Sequence, residues 1–228
     1  MKKLALILLV IIIPAASCRK GINAVPTGTW NYRLLVNGAD IGSAVISNEI
    51  KGGNYVSTTV MEMDAGYVRN STKQIIIETM EFKPVRLEVY NVTEQNGQKS
   101  EMTTIAKFTG NRVDLNAAAT LSTITIDKPF ILEGNYFMNE LIKHGFKEGT
   151  ILKNYVYEPS VDVEEPMLVM VKVFGRENVS INGKNKKLIH LGFSIENMKN
   201  IDMYMDDEGV THKTTIVMLN NKLELVLK

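Results

Sequence analysis

Two hundred and twenty-eight residues with 26 basic and 25 acidic side chains make a near-neutral chain, formal net charge +1, of 45% hydrophobic content. That length supports one domain with a sizeable core, and that apolar fraction excludes global disorder, because enough surface can be buried to offset the ordering entropy. No stretch concentrates Lys and Arg among aromatics, so the electrostatic footprint and stacking platform of a nucleic-acid binder are both missing and no nucleic-acid partner is expected.

The chain opens MKKLALILLVIIIPAASC: two lysines, an apolar run from Leu4 to Ile13, then Pro14 and the small residues Ala15, Ala16 and Ser17 before Cys18. This is the three-part pattern of a secretory signal. The ten-residue run is about half of the ~20 residues that a helix needs to span hydrocarbon, so a permanent transmembrane anchor is the weaker reading. Cys18 is the only cysteine. The segment before it resembles the bacterial lipobox, in which cleavage precedes a cysteine that is then acylated. The resemblance implies a lipoprotein-type signal peptide over residues 1–17, lipid attachment at Cys18, and a membrane as partner. By analogy with enteric sorting, Arg19 in place of Asp points to the periplasmic side of the outer membrane rather than the inner membrane. The alternative is an ordinary signal peptide with an incidental cysteine. Two or three acyl chains anchor stably, since each buried methylene contributes about 0.8 kcal/mol and one chain alone is marginal. Removing residues 1–17 leaves 211 residues with no possible disulfide, so stability must come from the core.

Residues 18–27 read as the lipidated cysteine and a polar tether, and residues 28–228 as a single domain. From Gly28 onward period-two alternation dominates. TWNYRLLV sets Trp30, Tyr32, Leu34 and Val36 on one face, and Asn37-Gly38 marks a hairpin turn. Further turns are expected at Gly52-Gly53, Asn96-Gly97, near Asn116 to Ala119, at Asn182-Gly183 and at Asp206 to Gly209. Strands arrive roughly every ten residues, which signals antiparallel meanders rather than βαβ units.

EGNYFMNELIKHGF breaks the rhythm, with Phe137, Met138, Leu141 and Ile142 forming a helical stripe and Gly145 a stop signal. So short a helix must be held by packing on the sheet. MLVMVKVF, apolar on both faces at its start, is expected to be covered on both sides. In the last strand Leu223, Leu225 and Leu227 oppose Lys222, Glu224 and Lys228, with Val226 the apolar exception. The expected fold is mainly β: a large antiparallel curved sheet forming an open, half β-barrel with one packed helix, since a large sheet hides its edges by curling.

GTWNYRLLVNGADIGSA, KPFILEGNYFMNELIKHGFKEGTILKNYVYEP, VFGRENVSINGKNKKLIHLGFSI and MYMDDEGVTHKTTI, in that order, resemble exported bacterial domains of the domain of unknown function 3108 type. That family is similar in architecture to the LolA/LolB group, an unclosed barrel around an apolar cavity. The resemblance implies a curved sheet with a greasy concave side. It carries no reactive residue.

The chemistry-bearing residues are sparse. Cys18 is committed to the anchor, there is no G-x-S-x-G elbow, and His144, His190 and His212 lie in unrelated contexts, so no catalytic residue and no enzyme activity are expected. Asp206-Asp207-Glu208-Gly209 lacks the spacing of a calcium loop and reads as a turn, so neither a metal nor a cofactor is expected. Methionine is the suggestive feature: twelve residues, among them Met61 and Met63 on one strand, Met138 on the helix, and Met203 and Met205 on another strand face. Flexible thioethers adapt to irregular apolar partners, which makes these five the candidate lining of a site for an acyl chain or other lipid; core filling is the competing explanation. The function expected is an apolar-ligand-binding protein of the envelope. The alternative is a non-catalytic structural or interaction module with an envelope protein as partner.

Overall fold

The computed structural model describes residues 25–132, 134–195, 199–218 and 221–228. The signal segment, Cys18 and the tether up to residue 24 lie outside the described residues.

Alternation and turn chemistry produce the expected strands: β1 (Gly28–Val36), β2 (Ala39–Lys51), β3 (Asn54–Asp64), β4 (Val68–Thr79), β5 (Pro84–Gln95), β6 (Gln98–Thr109), β7 (Arg112–Ala117) and β8 (Thr120–Thr125). One helix among the described residues, α1 (Asn135–Lys143), precedes β9 (Ile151–Val156), β10 (Met167–Ile181), β11 (Lys184–Ile195), β12 (Lys199–Met205), β13 (Thr211–Met218) and β14 (Asn221–Leu227). All fourteen strands form one antiparallel sheet, in which β1 to β8 meander outward to one edge. The chain then crosses through α1 to the far edge and meanders back from β9, until β14 pairs with β1. The sheet is curved but not closed: β8 and β9 are its two ends. The crossing segment partly caps the β9 edge, where Ile131 N–H donates to Tyr155 O and Ile131 O accepts from Tyr157 N–H, both at 2.9 Å.

Hairpins form where left-handed backbone is cheap. Asn37-Gly38, Asn96-Gly97 and Asn182-Gly183 all have positive φ at both residues, the signature of the tight turn whose twist matches the strands. The β7–β8 turn meets the same demand with Ala118 at φ 47° and Ala119 at φ 66°. Alanine pays a steric penalty there, so the pair Ala118→Asn with Ala119→Gly is expected to stabilise by about 1 kcal/mol and raise Tm by about 2–4 °C in thermal melts.

The inner face can be followed across the register. Trp30 lies opposite Ile46, then Thr59, Gln74, Val89 and Thr104, while Leu34 lies opposite Leu225, then Thr214, Met203, Leu191 and Val173. One core cluster gathers Ile76, Leu87, Val113, Ile126, Leu132 and Tyr157 around Phe108. A second packs Phe137 and Leu141 of α1 on Val171, Val173, Leu191 and Met205.

β10 is covered at its start as expected, none of Met167 to Val171 being exposed, whereas Arg176, Glu177, Asn178 and Ser180 towards its far end are exposed. It bulges at Gly175, φ +112°, and the ends of β10 and β11 lie across β14 and β1. Ile181 and Leu188 bury Val226 there, Arg33 Nη2 donates to Asn182 Oδ1 at 2.6 Å, and Asn182 Nδ2 donates to Leu227 O at 2.9 Å. The apolar exception in the last strand is the floor of this second, outer core.

Candidate functional site

α1 is too short to stand alone and lies on the inner face because Phe137 and Leu141 bury themselves in the sheet. Met138 and Ile142, beside them in the stripe, turn to the β12–β13 turn instead: a Cβ on Gly209 would sit 3.0 Å from Ile142 Cδ1 and 3.4 Å from Met138 Sδ. Between helix, turn and sheet lies a cavity of about 180 Å³. Its floor is Trp30, Tyr32, Ile46 and Thr59; Phe193 and Met203 form one wall, and Met138 the roof. Among the described residues no Asp, Glu, Lys, Arg or His lines it.

A strap closes one side. Val25 and Pro26, which the sequence assigns to the tether, lie against the sheet: Pro26 O accepts from Tyr55 Oη at 3.0 Å and from Asn48 Nδ2 at 3.3 Å. Val25 packs with Tyr55 and Phe82, whose rings meet edge to face at 5.8 Å.

The five candidate methionines separate. Met138 and Met203 line the cavity. Met205 does not: it is fully buried in the core under α1. Met61 and Met63 share the inner face but continue β3 past Thr59, away from the cavity, into a polar neighbourhood. There Thr72 Oγ1 bonds Asn91 Oδ1 at 2.7 Å and Asn70 Nδ2 donates to Thr93 Oγ1 at 2.9 Å, side by side in the rows that hold the two methionines. Alternation places a residue on a face but not along it, which is why the five looked equivalent.

Tyr32 Oη donates to Thr211 O at 3.0 Å beside the cavity. Burial pushes its phenol up to about 12, and the charge of Asp206 adds to the effect. Tyr157 Oη donates to Val163 O at 2.8 Å and is likewise pushed up to about 12, by burial first and by Asp162 and Glu158 after it. Both keep their protons in the folded chain at pH values where the unfolded chain, titrating near 10, has lost them. Stability is therefore expected to fall as pH rises from 10 towards 12, by about 1–2 kcal/mol per phenol. Urea midpoints across that range check this, and Tyr32→Phe should flatten the slope.

The histidines are better partnered than their sequence contexts indicate. His190 is stacked between Tyr204 at 4.6 Å and Phe174 at 4.8 Å on the outer face, with Glu177 at 2.8 Å from Nδ1 and Asp202 at 2.9 Å from Nε2. His212 has Asp206 at 3.0 Å from Nε2 and Lys186 at 3.2 Å from Nδ1. His144 is the exposed C-cap of α1. The acidic turn is engaged by the protein itself: Asp206 accepts from the amides of Glu208 and Val210 as well as facing His212, and Asp207 pairs with Arg176. Among the described residues no group of three or more His, Cys, Asp or Glu is placed to hold a metal, and no helix is long and apolar enough to cross a membrane.

Sequence reasoning missed the strap and two polar residues of the cavity, Asn48 and Asn135, whose Oδ1 and Nδ2 atoms respectively are buried without a hydrogen-bond partner among the described residues. No local pattern marks either residue: one is mid-strand, the other the first residue of α1.

No family model matches the chain, and no curated protein matches it. Among solved structures it is similar to a DUF1089 family protein from Pseudomonas aeruginosa, with TM-score 0.38 and 8% identity over 82% of this chain and 89% of that one. It is also similar to a β-barrel-like protein of domain of unknown function DUF1849 from Brucella abortus, with TM-score 0.66 and 14% identity over 90% of this chain and 96% of that one. The second likeness supports the mainly β, β-barrel-like fold with its unclosed antiparallel sheet.

Proposed function

We propose that this chain is an exported protein, lipid-anchored through Cys18 to the periplasmic side of the bacterial outer membrane, that binds an apolar ligand between α1 and the inner face of its sheet and catalyses no reaction. The observation that carries the reading is the partly open cavity of about 180 Å³, lined by Trp30, Ile46, Phe193, Met138 and Met203 and, among the described residues, by no charged side chain. The resemblance to exported domains of the 3108 type and their Lol-like architecture supports it. The non-catalytic part is supported by His190 and His212, whose four ring nitrogens all face groups of the protein. Volume sets the size of the guest. An apolar cavity of about 150 Å³ holds benzene, whereas sites for larger ligands run to about 300–1,000 Å³. A ring or a short chain segment fits; a whole acyl chain requires α1 or the Val25–Pro26 strap to move.

Native mass spectrometry of residues 19–228, which contain every described residue, tests the reading after recovery from a bacterial periplasm. A bound apolar molecule in stoichiometric amount is expected. Met138→Glu should abolish it, because a carboxylate in an apolar enclosure is costly to desolvate. A clean unliganded mass, persisting after incubation with envelope lipids and small apolar compounds, sinks it. One observation favours an interaction module instead: Leu121 is 79% exposed on β8, a terminal strand of the sheet and a ready edge for a partner's strand.

A further inference from the structure

Polar atoms in a folded interior are almost always hydrogen-bonded, and an exception needs a reason. Two residues lining the cavity under α1 carry such an exception. Asn48 has its orientation fixed, since only its Nδ2 can donate to the Pro26 carbonyl at 3.3 Å, and that leaves Oδ1 as a buried acceptor with no donor among the described residues. Asn135, on α1 across the cavity from the β2 floor, has Nδ2 as a buried donor with no acceptor among the described residues. Trp30, Ile46, Phe193 and Met203 give the cavity an apolar wall, and Ser57, opposite Asn48, Thr59 and Thr211 also line it.

We infer that the cavity takes a small uncharged amphiphile whose head group both donates and accepts a hydrogen bond, an alcohol, phenol or primary amide, carried on a single ring or a chain of similar volume. The head gives its proton to Asn48 Oδ1 and receives one from Asn135 Nδ2, while the body lies against the apolar wall. The inference rests on the reading of this cavity as a ligand site and names the ligand class. The chemistry excludes the neighbouring classes. A carboxylate only accepts, so it leaves Asn48 Oδ1 facing a negative oxygen, and no cation among the described residues lines the cavity to pair with it. An ammonium only donates and leaves Asn135 in the same position. A plain hydrocarbon fills the wall and satisfies neither amide.

Trp30 is the only tryptophan and lines the cavity, so its fluorescence reports occupancy directly. Residues 19–228 are titrated with three probes of one size, benzyl alcohol, toluene and benzoate, with saturation-transfer NMR on each probe as a second readout. Benzyl alcohol is expected to bind about tenfold more tightly than toluene, as one well-made hydrogen bond provides, and benzoate not to saturate. Asn135→Ala should lower benzyl alcohol to the affinity of toluene and leave toluene unchanged. It should not lower Tm, because it removes a donor that made no bond. Toluene binding as tightly as benzyl alcohol, or benzoate binding more tightly, overturns the ligand class and leaves the apolar site standing. If no probe moves either readout, water alone satisfies the two amides, and the ligand-site reading falls with the inference.

Discussion

Gly42→Ala is expected to cost about 3 kcal/mol or more, a large share of the stability of a domain this size. A Cβ at position 42 would lie 2.0 Å from Glu62 O and 3.1 Å from Met63 Cα, atoms of the facing strand's backbone that cannot step aside. Gly42 is paired with Met63, and the β1–β2 register shifts beside it between Leu34 and Leu35, so β2 is pressed onto β3 here. Added volume therefore breaks ladder hydrogen bonds in mid-sheet. Gly192→Ala is the control. Its Cβ would approach Phe174 Cε2 at 2.5 Å, but that ring is 44% exposed and can swing outward. A loss under about 1.5 kcal/mol is expected from a side chain that can move. Urea unfolding of the two variants side by side decides the matter; equal midpoints would show that the backbone collision is not the cause.

Phe137→Ala should cost about 3–5 kcal/mol, as deletion of a fully buried aromatic ring usually does. The ring meets Tyr136 at 5.9 Å and Phe193 at 6.4 Å, both edge to face, and it joins α1 to the core beneath it. A helix of nine residues has little stability apart from such contacts, so its amides should lose hydrogen-exchange protection before those of β10 and β11. The variant also bears on function. Phe193, its partner, is a wall of the cavity, so the truncation is expected to widen the cavity behind that wall and to admit probes larger than benzyl alcohol. Tighter relative binding of naphthalene-sized alcohols in Phe137→Ala than in the wild type is the expected result.

The cavity was only partly legible from the chain. Met138 and Met203 line the cavity, whereas Met61, Met63 and Met205 carry the same sequence signal and lie elsewhere. Asn48 and Asn135 carry no signal at all, because an orphaned amide is a property of what surrounds it. Likewise Asp206 reads as a turn residue, and its pairing with His212 depends on how β12 and β13 are joined. The elements themselves are legible because their causes are local. Period-two alternation defines the strands, and Asn-Gly pairs supply the positive φ their turns require. The helical stripe from Phe137 to Ile142 identifies α1.

By itself, then, the sequence determined the strand content, the hairpin turns, the single helix and an antiparallel sheet that curls, all of which follow from interactions within about ten residues. Only the tertiary structure decided the rest. That β1 pairs with β14, that Asn182 reaches Leu227 to fold one hairpin over the outer face, and that Val25 and Pro26 close the cavity against Tyr55 are contacts between distant parts of the chain. Their energy comes from burying particular surfaces on one another, and alternation says which face of a strand is apolar without saying what will cover it.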